Sequence, residues 1–271
     1  QGIDAYLVNQ TDEYQNEFLP NYSRRLTWLT NFSGSAGEAI ITRNKAYLFV
    51  DGRYTLQAKI EVSEKLYSIY NYNEKSPQDI LNTLKLKKVN YAIDGNIVTA
   101  RKLKFIKSEV KKNISIKLLT KNLIDIIWKS RPKVPKSNVW HHEDKFHGTK
   151  VSSKIVTIKK IIKQDKADYL FITSNESICW LLNLRGSDLT YTPIFMSRLI
   201  IDKYGNCYLF ADIKNPIKFP KEINLSIIKP KFFNKFLSET LAKKKIIADD
   251  RTLPANINKL FHEIKSKVKL R

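Results

Sequence analysis

The chain is short of the residues and runs that would place it in a functional class at once. It has two cysteines, Cys179 and Cys207, each inside an apolar run. Thiols so placed are expected to be buried and free rather than paired, as in a reducing cytoplasm. No apolar run reaches the ~20 residues that cross a bilayer, and no signal-peptide pattern opens the sequence, so no membrane partner is expected. Arginine is scarce: only ten of the 48 basic residues, the other 38 being lysine. That scarcity bears on the net charge of +22, which by itself invites a nucleic-acid reading. Base readout leans on arginine and on a recognised module, and neither is in evidence. Runs such as Lys243-Lys244-Lys245 and Lys265-Ser266-Lys267-Val268-Lys269 border apolar positions as solvated faces do. The favoured expectation is a basic solvated surface with no nucleic-acid partner.

Catalytic signatures are missing too. There is no G-x-S-x-G elbow, no H-E-x-x-H and no plausibly placed Cys/His dyad. Gly34-Ser35-Ala36-Gly37 is only superficially like a phosphate-cradling loop, because no Gly-Lys-Ser/Thr leads into a helix and β-rich residues follow.

What is present is a repeat. Trp28-Leu29-Thr30-Asn31-Phe32-Ser33-Gly34-Ser35 returns as Trp180-Leu181-Leu182-Asn183-Leu184-Arg185-Gly186-Ser187, a W-L-x-N-x-x-G-S pattern in each half. An apolar strand-like run precedes each copy (Tyr6-Leu7-Val8, Tyr169-Leu170-Phe171-Ile172), and another follows it (Tyr47 to Asp51, Tyr208 to Asp212). Ordered matches with one insertion indicate a duplicated domain. The small Gly-Ser pairs read as tight turns into the following strand. At 271 residues with 42% hydrophobic content, the chain suits two domains of roughly 100–150 residues. It opens at Gln1-Gly2-Ile3-Asp4 without a methionine and is expected to be a trimmed piece of a longer chain.

Strand and helix patterns alternate through residues 1–131, with a short hairpin at Arg43-Asn44-Lys45 and a Ser76-Pro77 helix start. Pro132, Pro135 and the polar run to Gly148 read as an interdomain linker over 132–150. The alternation resumes in 151–271, ending in a helix expected from Asn256 to Val268. Each half is therefore expected to be an α/β domain with a mixed sheet.

Few side chains suggest chemistry. His141-His142-Glu143-Asp144, with His147, is the densest set of potential metal ligands, but neighbours on an extended segment point opposite ways, so a structural or solvent-exposed role is favoured. His262 lies on an amphipathic helix and reads as surface. Asp51-Gly52-Arg53-Tyr54 ends a strand and presents Arg53 at the mouth of a helix. Its planar fork suits a carboxylate or carbonyl, and an intradomain salt bridge suits it equally. Arg185 and Asp188 are expected to pair with each other or across a domain interface. Trp28 and Trp180 read as core or interface rather than ligand-stacking residues.

Together these segments resemble the N-terminal region of aminopeptidase P, the Xaa-Pro aminopeptidases of the creatinase/prolidase superfamily. The resemblance rests on Arg24-Arg25-Leu26-Thr27-Trp28, Phe32-Ser33-Gly34-Ser35-Ala36-Gly37, Asp51-Gly52-Arg53-Tyr54, Asn122 to Trp128 with Arg131-Pro132, and Trp180 to Asp188. It implies an α/β architecture of two duplicated creatinase N-terminal-like domains, each a mixed β-sheet flanked by helices. A third, pita-bread domain, absent here, would follow them. In that family the third domain removes the N-terminal residue of peptides with proline second, using two divalent ions, usually manganese, held by two Asp, one His and two Glu. The resemblance thus places no catalytic residue, metal ligand or cofactor in this chain, which alone is expected to be inactive. It assigns substrate contact to Arg53, homodimerisation partly to these domains, and a cytoplasmic location. A stand-alone peptide- or protein-binding module that has lost catalysis is the competing reading, and a basic nucleic-acid binder a weaker one.

Overall fold

The computed structural model describes residues 2–271, with Asp144 described by its backbone alone; Gln1 and the Asp144 side chain, which entered the expectations above, lie outside the described residues. It divides into two compact units. The first comprises the residues up to Glu13 with Leu19–Lys133, the second Tyr14–Phe18 with Val134–Arg271.

The first unit runs β1 (Ala5–Asn9), α1 (Arg25–Thr30), β2 (Gly37–Thr42), β3 (Ala46–Val50), α2 (Thr55–Glu61), β4 (Tyr67–Asn71), α3 (Pro77–Thr83), β5 (Val89–Asp94), α4 (Ala100–Glu109), β6 (Ile114–Leu119) and α5 (Leu123–Ile127). Its sheet has the order β4-β3-β2-β1-β5-β6. β1, β2 and β3 are antiparallel neighbours, while β4, β5 and β6 add in parallel. The two-residue period sends alternate side chains to opposite faces. Tyr6 and Val8 join Leu26 of α1, Ala58 of α2 and Ile124 of α5 on one face; Ala5 and Leu7 join Ile80 of α3 and Ile106 of α4 on the other. Helices cover both faces, which is why β1 is apolar on both sides from Ala5 to Val8. Ser76 caps α3 in a full capping box with Asp79, with Pro77 in the first turn, as the Ser-Pro pair implied.

The second unit runs β7 (Val139–His141), α6 (Asp144–His147), α7 (Val151–Gln164), β8 (Tyr169–Ile172), α8 (Asn175–Leu182), β9 (Leu184–Gly186), β10 (Arg198–Asp202), β11 (Cys207–Phe210), β12 (Leu225–Ile228), α9 (Phe233–Thr240), β13 (Lys245–Ala248), α10 (Ala255–Glu263) and β14 (Lys267–Leu270). The sheet order β12-β11-β10-β8-β13-β14 repeats that of the first unit strand for strand, with the same parallel and antiparallel pairings. The duplication is thus one of topology as well as of motif. Phe171, Phe210, Phe233 and Phe261 pack as an aromatic cluster on one face, with ring centroids 5.0–5.9 Å apart. Ile155 and Ile162 of α7, Leu182 of α8 and Leu199 belong to the other.

The repeat has a physical basis different from the tight turns expected of its Gly-Ser pairs. In both copies the shared asparagine follows the last residue of a helix and adopts the left-handed conformation, Asn31 at φ 65° and Asn183 at φ 50°. Each ends its helix by donating its amide back to the preceding turn. The copies part after the glycine. Gly34 stands three residues before β2 starts at Gly37, whereas Gly186 stands twelve before β10 starts at Arg198.

Part of the segment expected as a linker, residues 134–150, lies in the second unit, where β7 pairs antiparallel with β9. The final helix stops at Glu263. The chain turns at Lys265 (φ 59°), and Lys267-Val268-Lys269-Leu270 then alternates as a strand parallel to β13. Both cysteines are buried and free, and burial pushes each thiol up to about 12. Native protein at pH 7.5 is therefore expected to leave both thiols unmodified by iodoacetamide over minutes, with two equivalents of labelling on unfolding. Fast native labelling would contradict their burial.

Candidate functional site

The surface most suited to recognition is built on the end of β3. Asp51 accepts the Arg53 backbone amide at 3.0 Å and so opens a single 3-10 turn that leads into α2. The same Asp51 oxygen accepts Arg53 Nε at 2.8 Å. These bonds hold the Asp51 carboxyl below the usual carboxylate range and raise the guanidinium above its ordinary value. The salt bridge weighed from the sequence is therefore present, but it engages only Nε. The Arg53 side chain is 73% exposed, and among the described residues no side chain engages its two terminal nitrogens. A comparison within the molecule shows that this is not forced by the turn. Asp249 and Arg251, after β13, form the same Asp-x-Arg turn, and there Asp249 accepts both Nε at 3.1 Å and a terminal nitrogen at 3.2 Å.

Around Arg53 the loop after α1 supplies polar groups. The guanidinium carbon lies 5.5 Å from the Tyr54 ring centroid, and the Tyr54 hydroxyl is 2.7 Å from Ser35 Oγ. The Ser33 amide and hydroxyl donate to the two oxygens of Glu61 at 2.7 and 2.6 Å, and Gln57 Nε2 donates to Ser33 Oγ and to Glu61. Desolvation opposes ionisation of Glu61, but the Ser33 bonds outweigh it and leave the carboxyl below its usual range. Phe32 is fully buried and packs edge-on to Tyr54, pinning this loop to the core. The result is a fixed wall of donors and acceptors with one cationic fork left open.

Other sequence candidates resolve differently. Arg185 and Asp188 do not pair with each other. The Arg185 guanidinium donates to the Cys179 and Leu184 carbonyls, while Asp188 accepts from Ser137 Oγ at 2.6 Å and the Met196 amide at 2.7 Å, tying down the insertion before β10. Neither Trp28 nor Trp180 is core. Trp28 stacks on the buried Trp128 at 5.5 Å and stays partly open. Trp180 is 60% exposed and roofs Lys154, whose ammonium lies 4.2 Å from its ring centroid.

His142 stacks on Phe146, and the His141 and His147 rings meet edge-on at 6.1 Å. Among the described residues no three His, Cys, Asp or Glu side chains converge as a metal site would require.

Two buried cations escaped the sequence reading. Arg25, 1% exposed, donates to Asp125 at 2.8 and 3.1 Å and to Glu13 at 2.8 Å, and Asp125 also pairs with Arg131. Burial works against its charge, but the two carboxylates outweigh burial and raise its pKa. Lys154 donates to the Trp180 carbonyl and to Asn183 Oδ1 at 2.5 and 2.6 Å, bracing the left-handed cap; burial and the Arg185 charge lower its pKa. The available signal was a basic residue on the inward face of a helix, at position 25 and at position 154 beside Val151 and Ile155.

Comparison with known proteins supplies the frame. Residues 130–270 match a family model for a Creatinase/Prolidase N-terminal domain, and residues 1–125 match another of the same description. The "Probable Xaa-Pro aminopeptidase P" of Laccaria bicolor is 34% identical over 204 residues, covering 74% of this chain and 32% of that protein. Xaa-Pro aminopeptidase 1 of Dictyostelium discoideum is 33% identical over 223 residues, covering 78% and 35%. The chain thus spans about a third of the length of the curated relatives it matches. A crystal structure of X-prolyl aminopeptidase from Caenorhabditis elegans, described as a cytosolic enzyme with a di-nuclear active site, superposes with a TM-score of 0.85 at 24% identity, covering 99% of this chain and 46% of that one. With two matched models in tandem and two sheets of identical strand order, the chain belongs to the creatinase/prolidase N-terminal domain family.

Proposed function

We propose that this chain is the non-catalytic N-terminal region of a metal-dependent Xaa-Pro aminopeptidase, in which it shapes substrate access and supports a homodimer in the cytoplasm. The names of the relatives support the reaction, removal of the residue that precedes proline. The two divalent ions of such an enzyme, manganese in this reading, belong to the remainder of the parent protein, where they would activate water for peptide-bond cleavage. The observation that carries a role for this region is the half-used Arg53 guanidinium. A fork held through Nε, with both terminal nitrogens open, can accept a peptide carbonyl or carboxylate without rearranging. Exposed apolar side chains at Trp180, Leu56 and Ile60 supply surface for a subunit contact.

In the complete enzyme, Arg53→Ala is expected to raise KM for short Xaa-Pro peptides about tenfold with little change in kcat, the loss of one charge-assisted hydrogen bond. Steady-state kinetics checks it, and an unchanged kcat/KM would sink the assignment. The 271-residue chain, assayed alone with manganese, is expected to release no product.

A further inference from the structure

The second unit contains a cavity of about 590 Å³, within the range that small ligands occupy. Three stretches of chain build it, and each brings lysine. Lys159, Lys160 and Lys163 come from one face of α7, at the three- and four-residue spacing of a helix. Lys166 comes from the turn that ends α7, where it holds the left-handed conformation at φ 49°. Lys203 and Tyr204 come from the hairpin between β10 and β11. The hairpin is seated on α7: a Cβ on Gly205, at φ 96°, would stand 3.1 Å from Lys159 Cδ. Only one lining carboxylate answers these charges, and it is occupied, since Asp168 accepts from Lys203 at 3.1 Å and from the Lys245 amide at 3.1 Å. Among the described residues no carboxylate pairs with Lys159, Lys160, Lys163 or Lys166.

A dispersed solvated surface, the expectation from the sequence, does not account for this convergence. Four lysines with no carboxylate partner among the described residues line one volume; like charges gathered in this way repel one another, and a ligand with several adjacent negative charges relieves that repulsion. Tyr204 lines the same volume and is 71% exposed, which leaves an aromatic face available for stacking.

We propose that this cavity binds a di- or triphosphate, its phosphates held by Lys159, Lys160, Lys163 and Lys166. The source is either a nucleotide, with its base on Tyr204, or free polyphosphate.

Isothermal titration of the 271-residue chain at constant ionic strength tests it, with sodium tripolyphosphate, ATP and adenosine as the three probes. Tripolyphosphate and ATP are expected to bind and adenosine not to bind. Paired Lys160→Glu and Lys163→Glu substitutions should weaken both ligands at least about tenfold, while paired Lys104→Glu and Lys107→Glu on α4 should leave them unchanged. Weakening of ATP alone by Tyr204→Ala assigns the nucleotide, and no effect of that variant assigns free polyphosphate. Because charge reversal on α7 can disturb folding, acetylation of the unaltered chain read by mass spectrometry provides a second measure. Tripolyphosphate should protect Lys159, Lys160, Lys163 and Lys166 and leave Lys104 and Lys107 reactive. No binding, equal weakening by the two double variants, or uniform protection of all these lysines overturns the proposal.

Discussion

Replacing Arg25 with alanine is expected to destabilise the first unit by about 3–5 kcal/mol, the range for removing one partner of a buried ion pair. The guanidinium is 1% exposed and ties three places in the sequence together: Glu13, α1 and Asp125 of α5. Its loss leaves two partly buried carboxylates short of a cation, although Asp125 keeps Arg131 at 2.8 Å. It also empties the volume of a large side chain. Against a typical total stability of about 5–15 kcal/mol, a loss of this size unfolds a sizeable fraction of the protein. Arg25→Lys should recover part of it, because an ammonium keeps the charge but cannot form the fork that Asp125 accepts. Segment-resolved amide hydrogen exchange provides the readout, with the acceleration expected in β1, β5 and α5. A change in unfolding free energy below about 1 kcal/mol, the scale of an exposed pair, would show that the cluster does not hold the unit together.

The second large effect is expected at the glycine of the repeat. An alanine Cβ at Gly186 would stand 2.5 Å from Phe195 Cβ and 3.0 Å from the Ile194 carbonyl oxygen. Neither is the far end of a flexible side chain, so β9 and the insertion must separate. At Gly34 the Cβ would stand 2.3 Å from Phe32 Cζ, and Phe32 is fully buried and cannot swing aside. Overpacking of this kind costs about 1–3 kcal/mol, with Gly186 at the upper end. Each kcal/mol should lower Tm by roughly 2–4 °C for units of this size. Thermal melts of Gly34→Ala and Gly186→Ala check it; a Gly186→Ala protein that melts with the parent would refute the steric account.

These two sites also show where sequence reasoning stopped. The repeat was legible as a duplication because its order and its flanking strands recur, and the identical strand orders agree. Its cause was not. Gly34 and Gly186 matter for close approach, while the left-handed position is the asparagine three residues earlier, a signal open to reading from the helix-ending role of Asn. The edge strands β6 and β14 went unread because Ile114-Ser115-Ile116-Lys117 and Lys267-Val268-Lys269-Leu270 are short and half polar, so neighbouring helix patterns dominated. Nothing local in the sequence identified the partners of Arg25, because they lie 12 and 100 residues away. Arg53 stood out by contrast, since a strand end, a glycine and a helix start are adjacent in sequence. What remained open there was how much of the guanidinium its own carboxylate uses.

The assignment of Tyr14–Phe18 to the second unit has a practical consequence. The backbone passes from one unit to the other three times, after Glu13, after Phe18 and after Lys133. In the second unit, Asn16 Nδ2 donates to Met196 Sδ at 3.4 Å, and the Arg198 guanidinium lies 4.8 Å from the Tyr14 ring. The units are therefore stitched rather than strung, and no single cut yields two whole ones. A gene fragment that begins at residue 134 loses the five-residue stitch, and one that ends at 133 carries it with nowhere to lie. A faithful dissection of this protein would move residues 14–18 with the second half and rejoin Glu13 to Leu19 through a new loop.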